Sequence, residues 1–170
     1  INQVNILSNI ATNKGMKVTH VKPHGALNNM ACENYDLAKI IAQAIIKVNK
    51  ELIFLVPTGS QMEKAGKKYG IKVAAEIFAD RNYEDDGNLV SRSKTNALIT
   101  DPEAAKNHVV KMVKNQALNC FSGKQIPCDI DSICVHGDGK SAVSTAKKIK
   151  NGLIKTGVTL RPLDQLTKFA

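Results

Sequence analysis

The chain has 170 residues, 43% hydrophobic and 23% charged, with 24 basic against 15 acidic side chains and a net charge of +9. These values suit a single globular domain over residues 1–170, and no apolar run approaches the roughly 18 residues that a membrane-spanning helix needs. The positive charge is almost all lysine, spread along helical faces (Lys64, Lys67, Lys68, Lys147, Lys148, Lys150), with only three arginines and 4% aromatics, so nucleic acid is not the expected partner.

The N-terminal residues INQVNILSN lack a basic region followed by an apolar one, so no secretory leader is expected. Val4, Ile6, Leu7 and Ile10 instead suggest a helix with no strand ahead of it, as in a fragment. Lys17 to Gly25, KVTHVKPHG, reads as a strand and its exit. From Tyr35 to Lys50, Leu37, Ile40, Ile41, Ala44, Ile45 and Val48 recur at helical spacing and predict a one-faced helix. LIFLV at 52–56 is a continuous apolar run, the pattern of a strand buried on both faces of a parallel sheet. After Pro57-Thr58-Gly59, Ser60 and Glu63 have the spacing of a capping box, and the helix they open stops at Gly70.

KVAAEIF at 72–78 is the next strand. Asp101-Pro102 caps and starts a helix whose expected apolar face is Ala104, Ala105, Val109 and Val113. Residues 115–130, rich in Asn, Gly and Pro, read as a long connection or small excursion. DSICV at 131–135 is a strand, and Ser141 to Lys155 a helix with Val143, Ala146, Ile149, Leu153 and Ile154 inward, closed at Gly157. The alternation predicts a parallel α/β architecture, either a barrel or an open doubly wound sheet.

Ligands of parallel α/β folds bind at the C-terminal strand ends. Three such ends are unusually polar: Lys22 and His24 in VKPHG, Glu76, Asp80 and Arg81 in EIFADR, and His136 and Asp138 in CVHGD. A carboxylate such as Glu76 within a buried strand is expensive unless paired. The stretch DRNYEDDGNLVSRS, 80–93, carries Ser91 and Arg92 beside Arg81, and arginine forks suit carboxylates and phosphates. His20 reads as a packed or edge residue and His108 as a structural or exposed one. Cys32, Cys120, Cys128 and Cys134 form no CxxC pair, so reduced thiols in the cytoplasm are expected, and the spacing of the last three with His136 matches no common zinc module. No P-loop or dinucleotide glycine motif occurs. The residues by themselves point to an α/β enzyme using His, carboxylate and Arg on a small anionic substrate.

VKPHGALNNMA, EIFADRNYEDDGNLVSRSK and ICVHGD, in this order, resemble the LamB/YcsF family from about Lys17 to Leu160. The resemblance implies a β/α barrel of the glycoside hydrolase/deacetylase type, here incomplete at its N-terminal side. It implies the A subunit of a 5-oxoprolinase, cleaving the lactam 5-oxoproline to glutamate with ATP as co-substrate and with B and C subunits as partners. A divalent metal and a homo-oligomer are left open by it. Catalysis would fall to His24 or His136, oriented by Asp138 or Asp80, and substrate binding to Lys22, Glu76, Arg81, Ser91 and Arg92. The family has a tyrosine at Asn28, Pro-Gly at Thr95-Asn96 and Asn-Pro at Gly139-Lys140. Its opening DLN-D-GE and CGFHAGD motifs have no counterpart in this chain. Alternatives are a metal-dependent deacetylase or amidohydrolase with His24, His136 and a carboxylate as ligands, and a non-catalytic fragment of the family or binding subunit.

Overall fold

The computed structural model describes residues 1–169. They form an α/β fold organised as two compact units, residues 1–75 with 162–169 and residues 76–161. The parallel sheet runs in the order β1-β2-β3-β6, defined below, so it has four strands, half the number of a closed eight-stranded β/α barrel.

The first unit begins with α1 (Asn2–Asn13), whose buried contact is Ala11, while Ile6, Leu7 and Ile10 are exposed. β1 is only His20–Val21, shorter than the sequence pattern suggests, and pairs in parallel with β2 (Ile53–Pro57), His20 opposite Ile53 and Val21 opposite Phe54. Between them lie α2 (Gly25–Glu33), which the sequence pattern leaves unassigned, and α3 (Tyr35–Asn49). α3 turns Ala38, Ala42 and Ile45 inward and leaves Ile40 60% exposed. Two alanines let the helix approach closely, so the buried stripe follows small residues rather than the largest apolar ones.

β2 is buried along its whole length, as the apolar run predicts. Phe54 and Val56 join the core of α2, α3 and α4, while Ile53 and Leu55 pack with Ala74, Leu163 and Phe169. α4 (Gln61–Lys68) carries the expected cap: Ser60 Oγ accepts from the Glu63 N–H at 3.3 Å, and Glu63 Oε2 accepts from the Gly59 N–H at 2.6 Å. Gly66 is required by packing, since a Cβ there would lie 2.5 Å from Val73 Cγ2.

β3 (Val73–Phe78) is a single strand whose first three residues belong to the first unit and last three to the second. In the second unit it pairs in parallel with β6 (Ser132–Cys134), Glu76 opposite Ser132 and Phe78 opposite Cys134. α5 (Pro102–Asn115) is capped by Asp101, whose Oδ2 accepts from the Ala104 N–H at 2.7 Å, and ends at Gln116 in the left-handed region. Its buried stripe is Ala105, Val109 and Met112; Ala104 is exposed, because the cap fixes it on the outer side of the first turn. The 115–130 excursion is an antiparallel hairpin of β4 (Ala117–Asn119) and β5 (Gln125–Pro127).

α6 (Ala142–Lys155) buries Thr145, Ile149 and Leu153, spaced by four. Val143, Ala146 and Ile154, expected inward, are exposed, Val143 at 69%. A threonine heads the buried stripe, which an apolar-only reading of the periodicity misses. Glu103 of α5 takes Lys148 of α6 at 2.9 Å together with Lys106, and these contacts depress its carboxyl to about 2. No helix among the described residues is long and apolar enough to cross a membrane.

Candidate active site

Asp80 and His136 each lie two residues beyond the paired positions Phe78 and Cys134 of adjacent parallel strands. Side chains repeat every second residue along a strand, so the register that pairs 78 with 134 brings 80 beside 136 on the same face. The Ala79 N–H donates to the Cys134 carbonyl at 2.9 Å and carries the ladder into this step. His136 Nδ1 sits 2.8 and 2.7 Å from the two Asp80 oxygens, and Phe78 stacks on the imidazole with centroids 5.9 Å apart and planes 23° apart. Both polar side chains are partly open, His136 at 29% and Asp80 at 22%. With the carboxylate accepting from Nδ1–H, the neutral ring carries its lone pair on Nε2, the nitrogen left for a substrate.

The pair opens into a cleft of about 370 Å³ whose wall also includes Arg92, Thr100, Asp138, Lys140 and Thr145. Asp138 is exposed on this rim, so the carboxylate that orients His136 is Asp80's. The other wall is the polar stretch after β3, and it is a built loop. Arg81, expected to grip an anion, is 6% exposed and turns its fork on the loop's own backbone: Nη2 donates to the Val90 carbonyl at 2.7 Å and Nε to that of Ala97 at 3.3 Å. Burial, helped by the nearby Arg92 charge, holds its guanidinium below the usual value. The Ile99 N–H donates to the Asp80 carbonyl at 2.9 Å, so the loop returns to the strand end it left.

Tyr83 anchors this loop from below. It is buried, its hydroxyl accepts from the Phe78 N–H at 2.7 Å, and burial pushes its ionisation far upward. His108 stacks on it at 6.3 Å, and burial holds its imidazole below the usual value. Ser91 shares its hydroxyl with Ser93 at 2.9 Å in an exposed turn, and Glu76 is buried on β3. Lys22 and His24 belong to the first unit. His24 is the N-cap of α2, is exposed, and makes no side-chain cap bond, while Gly25 after it takes the left-handed φ of 62° that the turn into the helix requires. His20 is exposed, with its Nδ1 on Thr19 Oγ1 at 2.9 Å. Motif reasoning does not single out Tyr83, Lys140 or Thr145. Tyr83 is signalled by an aromatic inside an otherwise polar run; Thr145 has no signal short of the helix register.

The LamB/YcsF family model matches residues 1–168. A 5-oxoprolinase A subunit of Clostridium beijerinckii is 47% identical over 164 residues, 96% of this chain and 64% of that protein. One from Rhodopseudomonas palustris is 44% identical over 160 residues, 94% of this chain and 63% of that protein. The crystal structure of a lactam utilization protein from Thermus thermophilus superposes with a TM-score of 0.84 at 32% identity, over 94% of this chain and 63% of the other. The chain thus spans a little under two thirds of the length of these relatives.

Proposed function

Because the chain belongs to the LamB/YcsF family, we propose that it serves as the A subunit of an ATP-dependent 5-oxoprolinase, opening the lactam ring of 5-oxoproline to glutamate alongside B and C subunits. The observation that carries this reading is the Asp80–His136 pair at the wall of the cleft. An unactivated amide resists water, and ATP, when bound, would supply the activation by phosphorylating the lactam oxygen. His136 Nε2 then takes a proton from water as the water oxygen bonds to the carbonyl carbon. The carbon–nitrogen bond breaks with its electron pair going to nitrogen, which takes the proton back from the imidazolium, leaving an acyl phosphate that a second water cleaves to the glutamate carboxylate and inorganic phosphate. Asp80 keeps the productive tautomer and stabilises the imidazolium in between, the general-base arrangement that contributes about 10²–10⁴ in rate.

Arg92 and Lys140 supply cations at the cleft for the anionic groups of the substrates. Lys22, His24, Glu76 and Ser91 are proposed as contacts on the resemblance alone, and Asp138 as a polar rim group. Arg81 is assigned to holding the loop rather than the substrate. Among the described residues no three His, Cys, Asp or Glu side chains converge as a metal set. A cytoplasmic setting goes with four free cysteines.

The test is ATP-dependent release of glutamate from 5-oxoproline by the assembly with B and C subunits. His136→Ala is expected to lower kcat by about 10²–10⁴. Wild-type turnover in that variant removes His136 as the base, and ATP-independent turnover removes the 5-oxoprolinase reading itself.

A further inference from the structure

α6 is 14 residues long and starts on the wall of the same cleft, which Ser141, Ala142 and Thr145 help to line. Its first turn is left open. Ser141 holds the N-cap position without a side-chain cap bond, and its hydroxyl donates to the Thr100 carbonyl at 3.4 Å. The Ala142 N–H goes to the Gly139 carbonyl at 3.0 Å, while the N–H groups of Val143 and Ser144 take no acceptor among the described residues. Uncapped N–H groups at a helix start are oriented for an anion, and the helix dipole favours one there.

Thr145 supplies the second, independent observation. It is 6% exposed and lines the cleft; its N–H closes the turn on the Ser141 carbonyl at 2.8 Å, yet its hydroxyl has no hydrogen-bond partner among the described residues. Lys140, immediately before the helix, and Arg92, from the loop opposite, bring two cations to the same wall.

We propose that the first turn of α6 is a phosphoryl-binding subsite, in which the Val143 and Ser144 N–H groups, the Thr145 hydroxyl and the Lys140 and Arg92 side chains receive phosphoryl oxygens beside His136. A phosphoryl group fits better than a carboxylate because it offers three acceptor oxygens to this many donors. The reason for a phosphoryl group being there rests on the hydrolase reading above; the binding itself does not. Asp138 on the same rim opposes a bare anion, so free phosphate should bind only at about the millimolar level.

Titration calorimetry of the full chain with inorganic phosphate tests this. Saturable binding is expected, with Kd raised about 10-fold by Lys140→Ala and by Arg92→Ala, and about 5- to 10-fold by Thr145→Val, which keeps the buried volume. Circular dichroism and melting of each variant confirm that the fold is kept. Displacement of phosphate by a non-hydrolysable ATP analogue would assign the subsite to the nucleotide, and displacement by acetyl phosphate alone would assign it to an acyl phosphate. Non-saturable binding, equal affinity in all three variants, or displacement by neither competitor overturns the subsite. Phosphate binding of the expected pattern without lactam turnover leaves the subsite standing and removes the hydrolase reading; turnover without phosphate binding does the reverse.

Discussion

The chain places a His-Gly pair at two strand exits, Pro23-His24-Gly25 after β1 and Val135-His136-Gly137 after β6, and their surroundings differ. His136 has a carboxylate on Nδ1, an aromatic ring against its face and a cleft in front of it. His24 is an exposed helix N-cap that makes no cap bond with its side chain, and the turn around it is set by Gly25. A histidine becomes a competent base when a second group fixes its tautomer, and only strand register can deliver that group from 56 residues away. The same sequence signature therefore carries different chemical readiness in the two places.

The largest expected effect separates the two histidines directly. If the chain acts in the proposed 5-oxoprolinase assembly, His136→Ala and Asp80→Asn should each lower kcat by about 10²–10⁴, and His24→Ala by less than about tenfold. Turnover measured for the three variants breaks the comparison if His24→Ala is the most damaging. Next comes the loop that walls the His136 side. Arg81→Met strands the buried Val90 carbonyl, while that of Ala97 keeps the Asn82 N–H, and should cost about 1–3 kcal/mol of stability in urea unfolding, whereas Arg92→Ala should stay within about 0.5 kcal/mol. Equal losses would place Arg81 with the ligand groups instead.

Cys32 on α2 probes the His24 side. Burial pushes its thiol up from 9.0 to about 11. The thiolate is the reactive form, so alkylation by iodoacetamide at pH 8 should be about 100-fold slower than for an ordinary thiol, recovering only as pH rises toward 11. Rapid alkylation at pH 8 would mean that α2 opens readily and that its N-cap histidine is mobile with it. The smallest effect is the cap of α4: Ser60→Ala should cost about 1 kcal/mol in the same urea measurement, without changing turnover.

Much of the fold is legible in the sequence because its signals are local. LIFLV is apolar at every position because both faces of β2 are covered, Ser60 and Glu63 announce a cap at their own helix start, and Asp101-Pro102 does the same for α5. The site is legible as a set of residue types at strand exits, since EIFADR and CVHGD place unusual polarity where apolar strands end. Its wiring is not. Arg81 and Arg92 are alike as letters and eleven positions apart, yet one is buried against carbonyls and the other stands at the cleft, a division made by how the loop folds back on Asp80.

The sequence by itself thus determined the alternating elements, the family and the polar strand ends, because periodicity, caps and motifs act over a few residues. Tertiary structure alone decided that Asp80 rather than Asp138 holds His136, that Arg81 serves the loop, and that Thr145 rather than Val143 faces inward on α6. Each of those outcomes depends on a strand register, a loop closure or a helix rotation, quantities fixed by contacts between residues far apart in the chain.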